Sequence, residues 1–184
     1  MKKDSAACAM DWSIELEKAL RSKIPGRSAE AILQFEPRLL QWSRELEPNL
    51  AAHQMFDLIP GEDRLFANTI LLRIADAFRL GDEHTRLCVV KVFLSEYRHR
   101  VKQKWKGYVG MLSKARVHNQ VELLNRVKVV FDNGDVKSRA MALVLFGCWG
   151  QISKDNAHIR YLVLSSLVSP HVLEVRLVCS YSFV

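Results

Sequence analysis

Fourteen residues of this chain occur twice. "GDEHTRLCVVKVFL" spans residues 81–94 and "GDVKSRAMALVLFG" spans residues 134–147. Aligned without a gap, the copies share Gly-Asp, then a hydroxyl residue (Thr85, Ser138), then an arginine (Arg86, Arg139) and an apolar pattern closing on Phe93 and Phe146. Turn, cap, charge and core pattern agree together, which makes an irregular helical bundle with a chance match the weaker reading. A chain that repeats a turn and the helix behind it builds one supersecondary unit more than once, and buries the apolar face of each unit by stacking it on the next.

The punctuation says what the unit is. Gly81 and Gly134 each follow a helical stretch, where a closing residue of positive φ costs glycine little. Asp82 and Asp135 suit the N-cap of the following helix, accepting its free N–H groups. Helices joined by so short a turn fold back as a hairpin. Apolar residues at helical spacing fill the flanks: Leu71, Ile74, Ala75 and Phe78 from about Glu62 to Leu80, then Leu87, Val90, Leu94 and Tyr97. Leu123, Val127, Val130 and Phe131 line a further helix, and Ala142, Leu145, Phe146 and Trp149 another. There the small Ala142 and Gly147 allow a neighbouring helix to approach closely. Upstream, Trp12, Leu16, Ala19 and Leu20 form one stripe, and Ile32, Phe35, Leu39 and Trp42 a second that Pro37 should kink or cut. One more helix is expected from Ala157 to Val168. Strand-like alternation bounded by hairpin signals is absent from the sequence, so the class is all-α.

A weaker third copy, "SPHVLEVR", sets Arg176 in the place of Arg139, and "PGRSAEAIL" at residues 25–33 is a fainter fourth. Helix pairs recurring at about 40 residues indicate a HEAT/armadillo-like α-solenoid of stacked antiparallel pairs. The expected organisation is a single solenoid segment over residues 1–176, a basic inserted loop at about 98–116, and an irregular tail at 177–184. Val178, Tyr181, Phe183 and Val184 in "LVCSYSFV" favour extended structure there.

The net charge is +7, and residues 98–116, "RHRVKQKWKGYVGMLSKAR", hold seven Lys and Arg with no acid. Basicity is therefore local. Cations stand on every even position from Arg98 to Lys106, which suits neither a helical face nor a comfortable strand. An extended loop carrying Arg98, Arg100, Lys102, Lys104, Trp105, Lys106, Lys114 and Arg116 could hold phosphates and stack a base. It could equally dock on an acidic partner, serve as a nuclear import signal, or stay solvated. The arginines of the repeat read as structural, pairing with Asp82 or Asp135 or with the equivalent acid of the next repeat.

Catalytic chemistry finds no constellation. His53, His84, His99, His118, His158 and His171 form no metal-ligand spacing with one another or with a cysteine. No phosphate-cradling glycine loop and no nucleophile elbow is present. Glu15 with Glu17, and Glu45 with Glu47, are two residues apart and point to different faces of a helix. Cys88 and Cys148 lie in apolar helical stretches, where a free thiol behaves as a small hydrophobe. With Cys8 and Cys179 they show no paired spacing, which suits a reduced intracellular protein. No cofactor, no metal, no small-molecule substrate and no membrane insertion is expected, and the chain reads as no enzyme.

The segments "ACAMDWSIELEKALRSKIPGRSAEAIL", "LFANTILLRIADAFRLGDEHTRLCVVKVF", "VHNQVELLNRVKVVF", "ALVLFGCWG" and "IRYLVLSSLVSPHVLEVR" resemble, in order, the N-terminal region of the Integrator complex subunit 7 family, most closely its plant form. The resemblance implies a nuclear, non-catalytic helical-repeat scaffold with other Integrator subunits as partners. Its setting would be small nuclear RNA 3′-end processing and cleavage of RNA polymerase II transcripts. A stand-alone nucleic-acid or protein-interaction module working through residues 98–116 is the alternative. The resemblance breaks after Arg176, so the expectation is a truncated or alternatively spliced form with an uncovered apolar end.

Overall fold

The computed structural model describes residues 5–44, 62–103, 117 and 119–180, with side chains within 11–40, 69–102, 117 and 119–176. All regular structure among them is helical: α1 (Ser5–Leu20), α2 (Arg27–Arg44), α3 (Glu62–Leu80), α4 (Glu83–Gln103), α5 (Gln120–Asn133), α6 (Val136–Cys148), the single turn α7 (Gly150–Ser153), α8 (Ala157–Ser165), a 3-10 turn (Ser166–Val168) and α9 (Val172–Ser180).

Three hairpins follow in sequence, α1–α2, α3–α4 and α5–α6. They stack so that α1, α3 and α5 form one layer and α2, α4, α6 and α9 the other. The last pair departs from this order: α8 packs on α6, and α9 packs on α6 and the 3-10 turn. One continuous core lies between the layers, built from Leu16, Phe35, Ile74, Phe78, Phe93, Leu145 and Trp149 among others, all fully or almost fully buried. Phe93 meets Trp149 edge-on with ring centroids 5.0 Å apart, joining the second pair to the third. Tyr161, Leu164, Val168 and Val172 stay exposed on the last pair.

The turns form as the doubled motif requires, but glycine is needed for a different reason. Among the described glycines only Gly26 has positive φ, and Gly134 is extended at φ −84°, ψ 166°. Close approach makes the demand. A Cβ on Gly81 would stand 2.4 Å from the Ala77 carbonyl oxygen and 2.7 Å from Thr85 Cγ2. On Gly134 it would stand 2.5 Å from the Val130 oxygen and 2.7 Å from Ser138 Cβ. Each glycine is clamped between the last turn of one helix and the first turn of the next.

Four further expectations are corrected. Pro37 does not cut α2, which runs on from Arg27 to Arg44; the bond that proline forfeits would go to Leu33, on the exposed side of the helix where water can take its place. The core face of α4 is centred on Cys88, Val89, Val92 and Phe93; of the expected stripe Val90 is buried with them and Leu94 and Tyr97 pack against the core half-buried, whereas Leu87 is 41% exposed. Residues 98–103, expected to open the basic loop, are the last turns of α4. Residues 177–180, expected to begin the irregular tail, continue α9.

Candidate functional site

The turn side of the stack carries a ladder of polar side chains. Asp82 accepts from the Thr85 amide at 2.8 Å, and Asp135 from the Ser138 amide at 2.9 Å. Hydrogen bonds from the hydroxyl and the amide of Thr85 hold the Asp82 carboxyl below its ordinary range, and Ser138 does the same for Asp135. The arginine one residue further on in each copy reaches out of its own pair. Arg86 donates through Nε to the Phe78 carbonyl at 3.0 Å and through Nη1 to Ser138 Oγ at 2.9 Å. It therefore closes the C-terminus of α3 and ties the second pair to the cap of the third. Arg139 donates through Nε to Glu174 Oε1 at 2.8 Å, where Glu174 is buried and also accepts from Ser169 Oγ at 2.5 Å. Burial pushes the Glu174 carboxyl up, but the bonds from Ser169 and Arg139 and the charge of the arginine outweigh it and leave the group below its usual value. The structural reading of these arginines holds. Their partners are not Asp82 or Asp135, and Glu174 is an acid of the next repeat that the motif alignment does not single out.

A second ladder escaped the sequence reading. Arg73 and Arg126 sit in the same repeat register, each eight residues before the turn glycine. Arg73 reaches back to Ser13 at 2.9 Å and Glu17 at 2.6 Å, and Arg126 reaches back to the Leu72 carbonyl at 2.8 Å and Asp76 at 2.5 Å. Extending the alignment upstream of Gly81 and Gly134 would have found both. An open groove of about 570 Å³ lies between the first two turns, and Glu17, Arg73, Asp76 and Arg79 of its lining are tied in ion pairs. It offers no converging set of unpaired groups to a ligand.

Of the basic residues singled out from sequence, Arg98, Arg100 and Lys102 lie on the final turns of α4. Lys104, Trp105, Lys106, Lys114 and Arg116 lie outside the described residues. Arg98 and Lys102 are exposed and four residues apart, hence on one face. Arg100 turns inward. It donates through Nη2 to the Cys148 carbonyl at 2.8 Å and lies over the Tyr97 ring, 5.4 Å from its centroid. It is an inter-repeat tie at the end of α6, where a cation also meets the negative end of the helix dipole. Glu96, one turn before it, is fully buried. Burial pushes the Cys148 thiol up to about 12, with the charge of Glu96 adding to the effect, and burial likewise raises Cys88. Both thiols are inert core groups. Among the described residues no group of three His, Cys, Asp or Glu is placed to hold a metal ion, and no helix is long and apolar enough to cross a membrane.

Among the described residues, stacked helix pairs tied by arginines make an all-helical protein, and its sequence matches a family model. The model described as "Integrator complex subunit 7, N-terminal" matches residues 64–180. The chain belongs to that family. Integrator complex subunit 7 of Gallus gallus, of Mus musculus and of Homo sapiens are each 28% identical to it over 162 residues, 88% of this chain and 13% of theirs. The chain thus spans about an eighth of the length of these relatives. The match runs to residue 180, past Arg176, where the resemblance was expected to break.

Proposed function

We propose that this chain is a non-catalytic scaffold: a HEAT/armadillo-like α-solenoid segment, one unit throughout, that presents surface to other subunits of an Integrator-type complex in the nucleus. The observation that carries the reading is the family match over residues 64–180, together with helix pairs that stack in register through Arg86 and Arg139. A stack of this kind spreads surface instead of closing a pocket, and its polar side chains are spent on holding pairs together. What the relatives' name says of them, membership of the Integrator complex, is the source of the proposed setting in small nuclear RNA 3′-end processing and RNA polymerase II transcript cleavage. Tagged chain recovered from nuclear extract should bring down Integrator subunits in fixed proportion. Recovery of the chain alone, folded and soluble, would overturn the reading.

A further inference from the structure

The outward side of α4 carries an apolar and a cationic column that the stack uses only through Leu94, which packs against the core. Leu87, Leu94 and Val101 recur at every seventh residue, and Lys91 and Arg98 follow the first two by four, with Lys102 closing the cationic column. A seven-residue apolar repeat is the spacing of a coiled-coil seam, which stays in line when a second helix winds alongside. Leu87 is 41% and Val101 54% exposed, and Leu94 is half-buried. Lys91, Arg98 and Lys102 are exposed and form no salt bridge with a described residue, although the arginines of the turn region and of α3 and α5 are tied to partners.

The second motif copy shows what such a face can receive. In register, Leu87 corresponds to Ala140 and Lys91 to Val144, and both of these are buried on α6, which packs against α8 as well as α9. The same two positions that are buried on α6 are exposed on α4.

We propose that this face of α4 docks an amphipathic helix of another protein, its apolar seam set over Leu87, Leu94 and Val101 and its flanking carboxylates over Lys91, Arg98 and Lys102. The proposal rests on the scaffold reading and names the surface and the partner chemistry. A second copy of this chain is disfavoured because the two cationic columns would meet. A nucleic-acid strand could use the cations, but the aliphatic column gives its bases no stacking platform.

The probe is a labelled helical peptide of about three heptads with Leu at the seam and Glu at the flanking positions, titrated into the full chain. Wild type should bind it. K91E/R98E/K102E should bind at least about tenfold more weakly, and a Lys-flanked peptide should recover the variant's affinity. An unchanged circular-dichroism spectrum assures that the variant is folded, and L87S/V101S should weaken both peptides. No binding by wild type, or equal binding by the charge-reversed variant, overturns the proposal. So does binding of single-stranded RNA in place of the peptide, lost in the same variant, or self-association abolished by L87S/V101S. Co-purification keeps the two readings apart. If wild type and K91E/R98E/K102E recover Integrator subunits equally, this face is wrong and the scaffold stands. If neither recovers any while the peptide binds wild type, the scaffold reading fails and the face stands.

Discussion

Asp82 and Asp135 cap their helices alike, at 2.8 and 2.9 Å from the amide three residues on, yet the arginines behind them meet different chemistry. Arg86 finds neutral acceptors, the carbonyls of Phe78 and Arg79 and the hydroxyl of Ser138. Arg139 finds a carboxylate that is 4% exposed. The cap is copied because donor and acceptor are three residues apart and travel together in the repeat. The arginine's partner belongs to the next pair, which is a different sequence each time. A repeat therefore transmits geometry faithfully and energetics only as far as its neighbour agrees.

The apolar end of the motif is where the copies should be hardest to disturb. Leu145 is fully buried beside Phe146 and Trp149. Leu145→Ala should cost about 2–5 kcal/mol in a denaturant titration, and a loss under about half a kcal/mol would mean that α6 does not carry the core of the third pair.

The arginines test the contrast itself. Arg139→Ala leaves Glu174 buried with only Ser169 and should cost about 3 kcal/mol, whereas Arg86→Ala leaves neutral groups and should cost about 1 kcal/mol. Equal costs would show that the acidic partner adds nothing. Adding Glu174→Gln to Arg139→Ala should recover part of the loss.

Acid sharpens the same contrast. Glu174 has a folded pKa below its unfolded value near 4.5, so its stabilisation is full above that value and fades as pH falls through the folded one. Between about pH 6 and about pH 3, wild type should therefore lose more stability than Glu174→Gln. Parallel curves for the two would contradict the assignment.

The turn glycines should behave as twins. Gly81→Ala and Gly134→Ala each force a Cβ against a carbonyl oxygen and should lower stability by about 1–3 kcal/mol in thermal melts. Gly26→Ala has open space around it and should show only the strain of its φ of 77°, about 1 kcal/mol. A neutral Gly81→Ala beside a costly Gly134→Ala would break the equivalence of the two turns.

The smallest effects belong to the open face of α4. Arg98→Gln and Lys102→Gln should change stability by less than about 0.5 kcal/mol. Arg100→Gln, between them in sequence, should cost about 1 kcal/mol through its lost bond to Cys148. If all three are equally silent, Arg100 is no tie.

The sequence by itself determined whatever is settled within one turn of helix. Aspartate caps, the position of the glycine at each turn (though not its reason, which is close approach and not positive φ), the all-helical class and the core stripes of α3, α5 and α6 were legible, because each shows in residues three or four apart. Helix α4 was legible only in part, since it is apolar on two sides. Of the stripe Leu87, Val90, Leu94 and Tyr97, Val90 is buried in the core and Leu94 and Tyr97 pack against it, but the packing of α2, α3 and α6 around α4 centres the core on Cys88, Val89, Val92 and Phe93 and leaves Leu87 exposed. The candidate site divides in the same way. That Arg98 and Lys102 are exposed cations could be read from composition, but the inward turn of Arg100 depends on a carbonyl 48 residues away. Alternating charge argued for an extended loop at 98–103. The α4 helix runs on through them instead, and one of those charges, Arg100, is drawn into the stack, a contact that local propensity cannot express.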